Sequence, residues 1–182
     1  KNQTVIRNKI KWNLDLDEAI DLSIYVFGSF ERKISNIKKL LSKKKDSLTI
    51  IDIGANIGSV SLLLANTFEN CKIYAIEPTN YAYNKLLNNL NLNKELKDKV
   101  FLRQSFITNK NKPQKVWSSW NFDKSNNKHK KHLGDLKEVK QDSYISLDQF
   151  VKHENLKNVD FIKIDVDGYE LDVLTSGKEF LR

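Results

Sequence analysis

The stretch Thr49–Ala65, TIIDIGANIGSVSLLLA, carries an acid and two glycines, Asp52, Gly54 and Gly58, where one apolar run gives way to another apolar-rich segment. The β-branched run Leu48–Ile53 predicts a buried strand, and apolar spacing from Ser59 to Thr67 predicts a helix behind it. A strand that ends in glycine and feeds a helix forms the ligand crevice of an open α/β sheet, where ligands bind beyond the carboxyl ends of the strands. Gly54 permits positive φ and close approach, and Gly58 lets the helix pack tightly on the strand. The spacing is D-x-G-x-x-x-G. A dinucleotide fingerprint is G-x-G-x-x-G, and its second glycine, which admits a pyrophosphate, is replaced here by Asn56. Asp52 would repel a phosphate and attract an ammonium group, so the spacing favours a ligand that is cationic at this point.

Working outward, Lys72–Ile76 reads as a second strand closed by Glu77-Pro78, and the proline discourages continuation. An acid at the end of that strand can accept hydrogen bonds from both hydroxyls of an unphosphorylated ribose. Asp52 beside a cation and Glu77 beside a ribose together describe S-adenosylmethionine better than NAD. The plainer alternative has Asp52 capping local amides and Glu77 as a solvated strand end. Tyr83, Leu86, Leu87 and Leu90 have helical spacing, Lys99–Leu102 reads as a third strand and Asp160–Asp165 as a fourth, with a helix from Gly168 onward. Ser146-Leu147-Asp148-Gln149 fits a capping box opening a short helix. Alternating strands and helices predict an α/β chain with a mostly parallel sheet and right-handed crossovers. Ahead of it, residues 1–47 read as a lead-in of short strand and helix, with Lys38–Ser47 as a charged connector. Residues 48–182 read as the ligand-binding domain, interrupted by a polar, lysine-rich insert at 109–135 that carries Trp117, Trp120 and Phe122.

Composition narrows the functional classes. The chain has 182 residues, 40% of them hydrophobic, enough for one core and one globular domain. No run approaches the ~18 apolar residues of a membrane span, and the first residues lack the apolar core of a signal peptide, so a soluble, cytoplasmic chain is expected. The lone Cys71 reads as a small core residue. A net charge of +8 raises the question of nucleic acid, but only four of the 31 basic residues are arginine. The lysine, asparagine and isoleucine excess is what an AT-rich genome writes into any protein, and a phosphate-reading surface is expected to use more arginine. Neither nucleic acid nor a membrane is therefore expected as partner.

The segments IDIGANIG (Ile51–Gly58), AIEP (Ala75–Pro78) and above all VDFIKIDVDGYELDVLTSG (Val159–Gly177) resemble the FkbM-type S-adenosylmethionine-dependent methyltransferases. The lead-in NLDLDEAIDLSIYVFGSFE (Asn13–Glu31) is similar too, with Tyr25, Gly28, Phe30 and Glu31 at matching places. The resemblance implies a Rossmann-like class I methyltransferase fold and methylation of a hydroxyl on a sugar, polyketide or other secondary metabolite, so the partner is a small-molecule or glycan acceptor. It implies a donor site made from Asp52, Gly54, Ala55, Asn56, Gly58, Glu77, Pro78, Gln104, Ser105 and Glu31. Asp167-Gly168 stands where the family more often has Glu-Gly. Gln104 and Ser105 stand where many class I methyltransferases carry an acid for the adenine amino group.

Methyl transfer from a sulfonium is an in-line displacement, so the protein aligns the acceptor and takes its hydroxyl proton. Asp165, Asp167 and Glu170 crowd the end of the fourth strand. Such a cluster can raise one pKa and supply a general base, or can bind a divalent cation through oxygen; the plain alternative is acids complementing a helix N-terminus. His132, with His129, could reach over the site from the insert, or be part of a solvated run. The tryptophans and Phe122 could stack on a sugar or pack on an edge strand. Competing classes are an NAD-dependent oxidoreductase and a non-catalytic methyltransferase-like binding domain. A class I sheet normally has seven strands and four are counted here, with no initiator Met, so the sheet is expected to be truncated after the fourth core strand.

Overall fold

The computed structural model describes residues 2–30, 34–43, 47–109, 115–120, 134–138 and 144–182. The lead-in is a hairpin rather than one strand: β1 (Asn2–Arg7) pairs antiparallel with β2 (Ile10–Asp15). Its turn residues Asn8 and Lys9 have φ of 52° and 64°, the left-handed pair that a two-residue hairpin turn requires. Strand alternation puts Ile10, Trp12 and Leu14 on one face, each fully buried. Helix α1 (Ala19–Phe27) follows and ends at Gly28, whose φ of 82° lets its N–H close on the Ile24 carbonyl. Helix α2 (Ile34–Leu41) replaces the first part of the charged connector read over Lys38–Ser47. Ile34, Ile37 and Leu41 share one helical face against the core, so the surrounding lysines decorate a helix.

Strands β3 (Leu48–Ile53), β4 (Cys71–Ile76) and β5 (Val100–Arg103) alternate with α3 (Ser61–Thr67) and α4 (Asn80–Leu92). A short 3₁₀ turn, Lys94–Leu96, precedes β5. Two-residue strands β6 (Phe106–Ile107) and β9 (Tyr144–Ile145) pair in parallel, flanking an antiparallel ribbon of β7 (Lys115–Trp120) and β8 (Gly134–Glu138). Then come α5 (Leu147–His153), β10 (Phe161–Ile164) and α6 (Glu170–Ser176). The main sheet is all parallel in the order β10-β3-β4-β5. Among the described residues no strand pairs with the outer edge of β10.

The sheet separates two apolar layers, as its alternation requires. Leu48, Ile50 and Ile73 join Leu62, Leu64 and Leu86 and the inner face of the hairpin on one side. Ile51, Ile53, Tyr74 and Ile76 meet Leu147, Phe150 and Val173 from α5 and α6 on the other. Cys71 is buried, as its type suggests. The capping box forms: Ser146 Oγ accepts from the Gln149 amide at 3.1 Å, and Gln149 Oε1 accepts from the Ser146 amide at 3.1 Å. Ser146→Ala should cost about 1 kcal/mol of unfolding free energy. In a thermal melt that is a drop of roughly 2–4 °C for a domain of this size. An unchanged melt would show that the box adds nothing to stability.

Polar contacts fasten the hairpin to α4. Asn93 accepts from the Lys11 amide and donates to its carbonyl, both at 2.8 Å. Asn89 accepts from the Asn13 amide at 2.8 Å and donates to the Ile57 carbonyl at 3.1 Å. Lys85 pairs with buried Glu18 and Asp21, and Tyr81 donates to Glu18. Burial raises the Asp21 carboxyl in spite of the Lys85 ammonium beside it. No helix of the described residues is long and apolar enough to cross a membrane.

Candidate active site

The carboxyl ends of β3, β4 and β10 meet at one edge of the sheet, and the sequence motifs converge there. After Ile53 the chain turns sharply, with the Gly54 and Ala55 amides both donating to the Ile76 carbonyl, at 2.9 and 3.0 Å. Gly54 has φ of +78°, and a Cβ on it would lie 1.9 Å from the Asp165 carbonyl oxygen. The close approach expected of this glycine is therefore made by the loop after β10. A Cβ on Gly58 would lie 2.5 Å from Leu86, which is the tight helix packing expected there.

Asp52 is fully buried. Its Oδ2 accepts from the Ser61 hydroxyl at 2.6 Å, and its Oδ1 lies 3.3 Å from the Lys163 ammonium. An ammonium does stand beside the carboxylate, and it belongs to the protein. Lys163 also lies 3.4 Å from Asp165 Oδ2 and donates to the Gly54 carbonyl at 3.2 Å. Burial works to lower its pKa, and the carboxylates of Asp52 and Asp165 more than offset that, so the ammonium is held above its ordinary value.

Glu77 is a bracket, not a solvated strand end, and is only 6% exposed. Oε2 accepts from the Asn56 amide at 3.0 Å, while Oε1 accepts from the Thr79 amide at 2.9 Å and the Thr79 hydroxyl at 2.6 Å. Burial raises its pKa against these hydrogen bonds and against Lys163. A carboxylate has about four lone-pair positions, and donors among the described residues occupy three, so Glu77 does not have both oxygens free for two ribose hydroxyls. Asn56, with φ of 52°, presents its amide to Glu77.

Beside the bracket runs an apolar cleft lined by Ile53, Gly54, Ile76, Pro78, Ser105, Phe106, Val166 and Tyr169. It is a shallow, partly open depression rather than an enclosed cavity. Gln104 stands near this rim with its amide donating to Asn80 Oδ1 at 2.5 Å, and Ser105 lines the cleft itself.

The acidic loop splits by role. Asp165 is exposed at the end of β10. Asp167 is exposed too, with φ of 47°, ahead of Gly168 at 97°. Glu170 turns back on the loop and accepts from the Gly168 amide at 3.1 Å and the Val166 amide at 3.4 Å. Its carboxyl is held below its usual range by its own amide first and then by those two. No group of three or more acids, histidines or cysteines that could hold a metal occurs among the described residues. His129, His132, Phe122 and Glu31 lie outside the described residues, as do the side chains of Trp117 and Trp120.

Sequence reasoning missed Lys163 and Tyr169. A lysine between isoleucines in FIKI was the available signal, because a charge among the apolar residues of a parallel strand needs a partner.

A four-stranded parallel sheet with helices on both faces and a glycine turn, a strand-end acid and an apolar cleft at its carboxyl edge define a Rossmann-like nucleoside-binding fold of the class I methyltransferase type. Residues 52–182 match the methyltransferase FkbM domain, and the chain belongs to that family of S-adenosylmethionine-dependent methyltransferases. No curated protein matches it. Similar solved structures include TYW2 of P. horikoshii in complex with MeSAdo, at 24% identity over 56% of this chain and 34% of that one, with a TM-score of 0.39. TYW2 of M. jannaschii in complex with AdoMet is 20% identical over 56% of this chain and 42% of that one, TM-score 0.39. The SAM-dependent methyltransferase of Agrobacterium tumefaciens is 9% identical over 57% and 32%, TM-score 0.45. The chain spans less than half the length of each of these structures.

Proposed function

We propose that this chain transfers a methyl group from S-adenosylmethionine to a hydroxyl of a small-molecule or glycan acceptor, such as a sugar or polyketide. The observation that carries the reading is Glu77, a buried carboxylate that accepts from the Asn56 amide of the glycine turn and directly precedes Pro78 of the apolar cleft. The cleft accepts the flat adenine, with Ser105 and Gln104 at its edge, and Glu77 accepts one ribose hydroxyl. When bound, the donor supplies an activated methyl on a sulfonium.

Charge supports the same assignment. Among the described residues Asp52, Glu77 and Asp165 face one cation, Lys163, so these groups together carry net negative charge. A negative crevice holds a sulfonium better than the neutral thioether left after transfer, which favours release of the product. Asp165, exposed at the strand end, accepts the proton as the acceptor oxygen forms its bond to carbon and the sulfur–carbon bond breaks.

Calorimetric titration with S-adenosylmethionine and with NAD tests the donor: heat with the first alone is expected, and heat with NAD alone would reinstate the oxidoreductase. Glu77→Ala should weaken donor binding about tenfold or more, since a hydrogen bond to a charged group is worth ~1.5–3 kcal/mol. Protonating Glu77 removes the same acceptor. Because its pKa lies above the ordinary 4.5, wild-type affinity should begin to fall on acidification while the pH is still above 4.5. Affinity in the alanine variant should lack that step, and equal affinity of the two proteins at pH 7 would remove Glu77 from the donor site.

A further inference from the structure

We propose that Lys163 is a positioning residue for methyl transfer, fixing the spacing between the glycine turn that holds the donor and the carboxylate that receives the acceptor proton. The inference rests on the reading of this crevice as the S-adenosylmethionine site. Lys163 lies opposite Asp52 in the β10–β3 register, with isoleucines on both strands around the pair. Its side chain is 14% exposed, and its ammonium meets three acceptors: Asp52 Oδ1, Asp165 Oδ2 and the Gly54 carbonyl.

Stability gives no reason for a charged pair at this place. Removing two charges from water costs several kcal/mol per ion, and well-packed apolar residues often serve as well or better. The third contact gives a reason. Gly54 and Asp165 belong to loops that already touch, since the Asp165 carbonyl fills the space where Gly54 lacks a side chain. Lys163 adds a polar clamp across that contact, donating to the Gly54 carbonyl and pairing with the Asp165 carboxylate, which is more than half exposed. Its ammonium is kept charged by the two carboxylates, so it holds its acceptors and does not take the acceptor proton.

The test separates the clamp from charge balance. Lys163→Met alone strands Asp52 and should lower both the melting temperature and the affinity for S-adenosylhomocysteine, an unreactive probe. Asp52→Asn with Lys163→Met removes the stranded charge and keeps an acceptor for Ser61. That double variant should melt well above the single one yet still bind the probe about tenfold or more weakly. Binding within about twofold of wild type by a folded double variant would show that Lys163 only neutralises Asp52. If the double variant does not fold, Asp52→Asn alone decides: it leaves Lys163 its Gly54 and Asp165 acceptors, so probe affinity within about twofold of wild type supports the clamp, and a loss as large as that of Lys163→Met overturns it. A wild type that fails to bind the probe overturns the donor reading itself, whereas a wild type that binds alongside an unaffected double variant overturns the clamp alone.

Discussion

Replacing Gly54 with alanine should destabilise the chain by about 3 kcal/mol or more and abolish measurable donor binding. Two costs combine. A residue with a Cβ at φ of +78° pays roughly 1–2 kcal/mol for the left-handed conformation. The new methyl would also lie 1.9 Å from the Asp165 carbonyl oxygen, which is backbone and cannot swing aside. Relief requires the glycine turn and the loop after β10 to part, and that breaks the Lys163 contacts and moves Asn56 from Glu77. Gly168→Ala supplies the contrast. It has φ of +97° but nothing within 4 Å of the added carbon, so it should pay the conformational cost alone. Urea unfolding of both variants, with calorimetric titration of S-adenosylhomocysteine, measures the difference. Equal losses at the two positions would mean that the two loops do not press on each other.

Asp165→Asn should lower kcat by roughly 10²–10⁴-fold, the usual worth of a positioned general base. Of the three acids in the loop, Glu170 is spent on the amides of Gly168 and Val166, and its depressed pKa makes it a poor base. Asp165 is the one that emerges from the strand end beside the donor crevice, anchored through its amide to the Ile53 carbonyl at 3.1 Å. Glu170→Gln should therefore act on the loop, reducing the melting temperature while costing less than about tenfold in kcat. The readout is S-adenosylhomocysteine formation with a hydroxyl acceptor that the wild type turns over, chosen from a panel of sugars and polyketide alcohols. Full turnover by Asp165→Asn would move the proton-accepting role elsewhere.

Much of this architecture was readable from periodicity, and where it was not, the reason is specific. Leu48–Ile53 is a β-branched run buried on both faces, and its bounds came out as read. The box at Ser146 and Gln149 was readable because its chemistry is local. The hairpin turn was hidden, since Asn8-Lys9 lacks the glycine that usually marks a left-handed pair. Helix α2 was hidden because it is only eight residues long, carries two lysines and runs straight into the lysine run Lys43–Lys45. At the site, the acids and glycines stood out by type and spacing, but their partners did not. Lys163 lies more than 100 residues from Asp52 and Gly54 in sequence, and only the adjacency of β10 and β3 brings them together. The same adjacency reassigns Gly54, whose bare backbone makes room for another piece of the chain.

Asn89 has one accepting and one donating end, and each is committed to a different stretch of backbone: the Asn13 amide in the hairpin and the Ile57 carbonyl in the glycine turn. With Asn93 it gives the outer edge of β2 side-chain amides in place of a neighbouring strand. Pulling the hairpin away would strip partners from the Lys11 and Asn13 amides and the Lys11 carbonyl together, with Trp12 still in the core. Such an opening has no cheap first step. Hydrogen exchange at Lys11 and Asn13 should accordingly keep pace with that of the glycine turn, so that the lead-in and the donor loop open as one mechanical unit.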